Sequence, residues 1–267
     1  MSLLSLLAVS VALAEDPVFV GTAAPIPEVP KAETDLSAEL GFAWTTGNTM
    51  TYTLNAGVNA SHKWSKNKLG VVGGINQGQS VVDGDGDGKL SDVEREVGYA
   101  PTAKRVFVDG RYDRFFGEKN SLYVLGGWLT DSFAGYDYRA HEQIGYSRAL
   151  VGTDRTKLVA ELGADVAEEN YVDGVDPNSD VIVAARVLVG LDHKFNENVA
   201  FSDKLEVYEN VLAPADLRVT NAASITASLS DRFSLKLSHA LAFDNVPVEG
   251  YRTLDQTSTA TFVASIL

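Results

Sequence analysis

Leu36-Ser37-Ala38-Glu39-Leu40-Gly41-Phe42-Ala43-Trp44-Thr45 sets Leu36, Ala38, Leu40, Phe42 and Trp44 in one phase and Ser37, Glu39, Gly41, Ala43 and Thr45 in the other. A strand turns successive side chains to opposite faces, so this run makes an apolar face and a face of small or polar groups. Tyr52, Leu54, Ala56, Val58 and Ala60 repeat the device against Thr53, Asn55, Gly57 and Asn59. Such runs continue to the last residue. They predict an all-β, antiparallel transmembrane β-barrel of about 12 strands, with one face toward lipid and the other toward water.

After the first two, the expected strands are 69–80, 106–116, 122–130, 138–150, 158–166, 181–191, 199–207, 217–229, 233–243 and 253–267. The links sort by parity. Those at 62–67, 117–120, 152–155, 195–198 and 230–232 are short, while those at 81–103, 131–137, 167–180, 208–216 and 244–252 are mostly longer, 45–48 being the exception. With both termini in the periplasm, the short set falls inside and the long set outside, as in bacterial outer-membrane barrels.

The net charge of −14 argues against nucleic acid, whose phosphates require a basic surface. Cysteine is absent, so there is no disulfide framework, thiolate metal site or cysteine nucleophile. Beyond the leader no run reaches the roughly 18 apolar residues of a membrane helix. If the chain spans a membrane it must therefore do so as a closed barrel, because lipid offers no partners to open strand edges.

The leader, 1–14, reads as a signal peptide. Leu3 to Leu13 is its apolar core, and Ala12-Leu13-Ala14 before Glu15 fits the small-residue cleavage rule, although no Lys or Arg precedes the core. Pro17, Pro25, Pro27 and Pro30 then interrupt any helix or paired strand, so 15–35 is expected to be a periplasmic tether and 36–267 the barrel.

The water-facing phase carries Glu161, Asp165, Arg186, Asp192, Lys204, Glu206 and Lys236, and mixed charges facing one another across a narrow barrel can pair and fill it. Arg111 and Arg139 are expected to join such pairs. Glu142, Arg148, Asp203 and His239 fall on the lipid phase, where a midplane Arg costs about 2 to 4 kcal/mol and an acid less. Either they sit near the membrane interface or a bulge shifts the local register. Trp44, Trp64, Trp128 and the tyrosines fit interfacial girdles.

Arg111-Tyr112-Asp113-Arg114-Phe115-Phe116, Leu122-Tyr123, Asp131-Ser132-Phe133-Ala134-Gly135, Arg139 and Gly145-Tyr146 resemble the salt-induced outer-membrane proteins. That family is catalogued as a domain of unknown function. Thr46-Gly47-Asn48-Thr49, the stretch from Pro247 to Gly250, and Leu254-Asp255-Gln256-Thr257 extend the likeness over most of 35–267. The resemblance implies residence in the bacterial outer membrane, with outer-membrane lipid, lipopolysaccharide and the barrel-assembly machinery as partners. It supplies neither catalytic residues nor a solute. Leu267 stands where such barrels commonly end in an aromatic assembly signal.

Within the longest link, Asp83-Gly84-Asp85-Gly86-Asp87-Gly88-Lys89-Leu90-Ser91-Asp92-Val93-Glu94 matches the twelve-position EF-hand calcium loop. Asp83, Asp85 and Asp87 would offer carboxylates, Lys89 its carbonyl, Ser91 a direct or water-mediated contact, and Glu94 a bidentate carboxylate. Gly88 allows the sharp turn. No entering helix precedes the loop, and 91–97 has room for only a short exiting one. Without a bound ion the segment is a self-repelling acidic turn.

The expected function is therefore non-enzymatic: a structural barrel or narrow channel with a Ca2+-binding surface loop. The acidic outer links, with Glu168, Glu169, Asp173 and Asp176, would meet phosphorylated lipid heads through divalent cations. Two alternatives remain, an outer-membrane calcium-dependent hydrolase and a soluble periplasmic calcium-binding β-protein. The hydrolase needs Ser and His in hydrogen-bond reach plus an orienting third group. Ser61-His62 and Ser238-His239 do not provide this, since neighbours on a strand point apart.

Overall fold

The computed structural model describes residues 32–45, 50–81, 90–175, 177–248 and 250–266. The signal peptide and nearly all of the tether lie outside them, as do Asp83, Asp85, Asp87 and Lys89 of the calcium motif.

Twelve strands run in sequence: β1 (Glu33–Thr45), β2 (Thr51–Trp64), β3 (Asn67–Ser80), β4 (Ala100–Phe115), β5 (Asn120–Asp131), β6 (Tyr136–Gly152), β7 (Thr156–Tyr171), β8 (Ser179–Lys194), β9 (Val199–Asn210), β10 (Leu217–Ser228), β11 (Phe233–Asp244) and β12 (Leu254–Ser265). Each pairs antiparallel with the next, and β12 returns to β1 through the register from Ser37↔Ser265 to Leu40↔Phe262, so the sheet closes into a barrel. The strand count and the phase both agree with the sequence reading. β1 begins at Glu33, inside the segment expected to be tether.

The alternation sorts side chains inside out. Leu40 and Phe42 point outward, 57% and 65% exposed, as do Val58, Val108, Ile144, Leu162 and Leu237. Thr53, Asn55, Asp113, Glu161 and Arg186 are buried on the inner face. A water-soluble domain would place these two sets the other way round.

β5 to β9 outrun their expected ends, while β10 and β12 stop slightly short of theirs. β5 and β6 leave only 132–135 between them, and β7 continues through Glu168 and Glu169 to Tyr171. The link after β5 is thus as short as those on the opposite rim, although the links after β3, β7, β9 and β11 remain long. The continued alternation also corrects the outer-link assignment: Glu169 turns into the barrel and is fully buried, while Glu168 stays in the wall and accepts a hydrogen bond from Tyr138 Oη at 2.7 Å.

Register shifts fall at Gly78/Gln79, Leu129/Asp131, Tyr136/Tyr138 and Ala149/Val151, all close to a rim. Arg148 pairs with Asn120, the first residue of β5, and so also sits at a rim. Glu142, Asp203 and His239 lie in mid-strand with no shift beside them. For these three, neither a rim position nor a bulge accounts for the outward charge.

A charged network in the lumen

The chemistry-bearing residues gather on the inner faces of β4 to β10. Arg111 on β4 is 1% exposed and holds Asp113 on its own strand, with Nε 2.9 Å from Oδ2 and Nη2 2.8 Å from Oδ1. The same guanidinium reaches Glu161 on β7, Nη2 to Oε1 at 2.7 Å and Nη1 to Oε2 at 3.1 Å. Glu161 also accepts from Arg186 Nη1 at 2.9 Å. Arg186 Nε then donates to Glu206 at 2.9 Å, and Lys204 closes the chain on the other Glu206 oxygen at 2.9 Å. Two-pronged, charge-assisted contacts of this kind are what buried ions require to offset their lost hydration.

Tyr123 on β5 packs inside this chain. Its ring centroid lies 4.1 Å from the Arg111 guanidinium carbon, and its hydroxyl accepts from Arg186 Nη1 at 2.7 Å. The tyrosine fits because Gly145 on β6 and Gly163 on β7 face one another beneath it. A Cβ at either glycine would stand 2.5 or 2.6 Å from the Tyr123 hydroxyl oxygen, nearer than carbon and oxygen can approach.

A second layer forms around Glu169. Arg218 on β10 and Arg139 on β6 both contact it, Arg139 Nε at 3.4 Å, and Tyr171 Oη donates to it at 2.9 Å. Arg218 also meets Asp216 at 3.0 Å and Asp244 at 3.2 Å. His141 sits against Asp165 at 3.2 Å and Asp109 at 3.4 Å. A cavity of about 130 Å³ remains in the lumen, lined in part by Arg105, His141, Gln143, Lys204 and Thr220.

The facing wall carries mainly small polar side chains at mid-height. Thr53, Asn55, Ser238, Thr257 and Thr261 are buried there, with Lys236 paired to Glu39 at 2.9 Å. Of the inward charges read from the sequence, Glu161, Arg186, Lys204 and Glu206 are brought into one chain, and Arg111 and Arg139 are paired as expected. Sequence reading missed Glu169 and the part played by Tyr123. Glu161, Asp165 and Glu169 are separated by even steps along one strand, a signal that could have placed the third acid beside the other two.

At the long-link rim, Ser91 is the N-cap of a short helix, α1 (Asp92–Val97). Its Oγ accepts from Glu94 N at 3.3 Å, and its own N donates to Glu94 Oε2 at 2.8 Å, a reciprocal capping box. Leu90 is buried beside it. Loop positions nine and twelve thus begin the expected exiting helix, while the other four proposed ligands lie outside the described residues.

On the outer wall His239 Nδ1 lies 3.0 Å from Ser258 Oγ on the neighbouring strand. Among the described residues no third group contacts the far ring nitrogen, so this pair is not a nucleophile–base–acid triad.

Residues 38–266 match the family model described as "Protein of unknown function, DUF481", and the chain belongs to that family. No curated protein matches the sequence. Among solved structures, the chain is similar to the NanC porin, with 11% identity, a TM-score of 0.52, and coverage of 87% of this chain and 100% of that one. The KdgM porin matches at 8% identity and TM-score 0.46, covering 88% and 99%. The translocator domain of the autotransporter NalP from Neisseria meningitidis matches at 9% and 0.44, covering 88% of each. At such identities the likeness to NanC is one of fold.

Proposed function

We propose that this member of the DUF481 family is a non-enzymatic outer-membrane protein, a narrow barrel closed by its own charges, with a calcium-binding loop on the outer rim. The observation that carries the reading is the chain Arg111–Glu161–Arg186–Glu206, which links β4, β7, β8 and β9 through the lumen by contacts of 2.7 to 3.1 Å. Cations and acids that pair across the lumen fill it with side chains instead of leaving it open to solute. The outward Leu, Val, Phe and Ile side chains support a lipid setting, since a soluble monomer rarely exposes so continuous an apolar surface.

The salt-induced type is part of the proposal. The motif that carries that resemblance supplies Arg111, Asp113 and Phe115, all buried on the inner face, so it contributes to lumen closure. Insertion by the barrel-assembly machinery and contact with lipopolysaccharide follow from the same reading. Calcium binding at Asp83, Asp85, Asp87, Lys89, Ser91 and Glu94 is supported by the Ser91–Glu94 box, which sets the twelfth loop position in the first turn of α1.

Fractionation tests the location. The protein should remain with the outer membrane and run faster on an unheated gel than on a heated one. Release by osmotic shock in detergent-free soluble form contradicts the proposal, and a cellular level that does not change with external salt removes the salt-induced part.

A further inference from the structure

Mid-height on the outer wall, β9 to β12 carry a cluster of polar residues interrupted by Ala223 and Leu241. Asp203 and His239 are both direct cross-strand partners of Ala223, one on each side, and Ser258 pairs with His239. Asn221 and Gln256 lie two residues away along their strands, both opposite Leu241. The outward positions of the flanking walls are apolar: Val183, Ala185, Val187 and Val189 on β8, and Leu36, Ala38, Leu40 and Phe42 on β1. Among the described residues Glu142 is the other outward mid-wall charge, and it lies between Gly126 and Val166.

Local contacts use only part of this cluster. Asn221 Nδ2 donates to Asp203 Oδ1 at 2.9 Å, and His239 Nδ1 meets Ser258 Oγ at 3.0 Å. The second Asp203 oxygen and the far nitrogen of His239 have no hydrogen-bond partner among the described residues. Under the membrane reading of the previous subsection, on which this inference rests, both would face hydrocarbon, where unsatisfied polar atoms are costly.

We infer that the β9–β12 face is a docking surface for a second copy of this chain, forming a two-fold dimer in which Asp203 of each copy pairs with His239 of the other. The arrangement is self-complementary. A two-fold axis along the membrane normal exchanges left for right, so it turns the acid side of Ala223 in each copy toward the base side of the other. Ala223 is small at the centre, Ile225 and Leu237 beside it offer apolar contact between the two walls, and polar side chains then join them.

The absence of cysteine makes the test clean. Ala223→Cys, near the axis, and Val108→Cys, six strands away on the opposite wall, are expressed in otherwise unchanged protein, and native outer membranes are oxidised. The inference expects most of the Ala223→Cys protein, and little of the Val108→Cys protein, to become a disulfide-linked homodimer. His239→Asp in the Ala223→Cys background should abolish the link by setting acid against acid. Adding Asp203→His should restore it. Heat-modifiable mobility shows that each variant is folded. A folded Ala223→Cys protein that stays monomeric, links to other proteins, or links no better than Val108→Cys overturns the dimer while leaving the membrane reading intact. Recovery in the soluble fraction would instead defeat the membrane reading itself.

Discussion

Arg111 and Glu161 stand three strands apart, on β4 and β7, yet their side chains meet in a two-pronged contact of 2.7 and 3.1 Å. Neighbouring strands in a wall bring side chains together without crossing the lumen, whereas a contact that skips two strands must cut across it. Tyr123, on β5, packs against this contact, its ring under Arg111 and its hydroxyl hydrogen-bonded to Arg186. The barrel is therefore narrowed from the β4–β9 side, and the opposite wall contributes mainly small Ser, Thr and Asn side chains.

Glu161 is the shared anion of that chain, and its loss should be felt by two arginines. Glu161→Gln leaves Arg111 and Arg186 buried with one carboxylate each. The expected destabilisation is roughly 3 to 5 kcal/mol, the scale for breaking a buried ion pair on one side. Equilibrium unfolding by urea in lipid vesicles checks it, and an unchanged midpoint would mean that water already solvates these groups.

Gly145 and Gly163 should tolerate no side chain. Gly145→Ala and Gly163→Ala each place a methyl within 2.7 Å of both the Tyr123 hydroxyl and a neighbouring strand's carbonyl oxygen. The strands must then separate or the tyrosine must move, at about 1 to 3 kcal/mol. Gly110→Ala is the contrasting case, since its added carbon meets only the Gly126 carbonyl, at 4.0 Å. It should fold and unfold like the parent protein in the same urea series.

Glu94 has two separable duties. Glutamine at the third helical position still completes a capping box, so Glu94→Gln should preserve α1. It removes the bidentate carboxylate, so calcium affinity should fall strongly from an expected dissociation constant of about 10⁻⁴ to 10⁻³ M. Calorimetry and protease protection of the 81–99 link, with and without calcium, report the two duties separately. No calcium-dependent heat or protection at millimolar concentration would return the loop to a plain acidic turn.

Much of this architecture is written in the period-two pattern. Leu36 to Thr45 and Tyr52 to Ala60 already identify wall and lumen faces, and the same phase places Glu161, Arg186, Lys204 and Glu206 inside, where they are found paired. Other features are not local. The strand ending read at Val166 hid Glu169, because β7 stays paired with β8 through the acidic residues that resemble a loop. Tyr123 looks like any girdle aromatic until Gly145 and Gly163, on other strands, are known to lie beneath it. Asp203 and His239 read as isolated misfits along the chain, and only their shared neighbour Ala223 makes them one surface.

Single-channel recording of the purified protein in a planar bilayer tests the charge-closed lumen most directly. The account predicts small or absent conductance for the parent protein and a clear rise on Arg186→Ala, which removes the cation bridging Glu161 and Glu206. A large, stable, weakly selective pore in the parent protein, unchanged by Arg186→Ala, would contradict it.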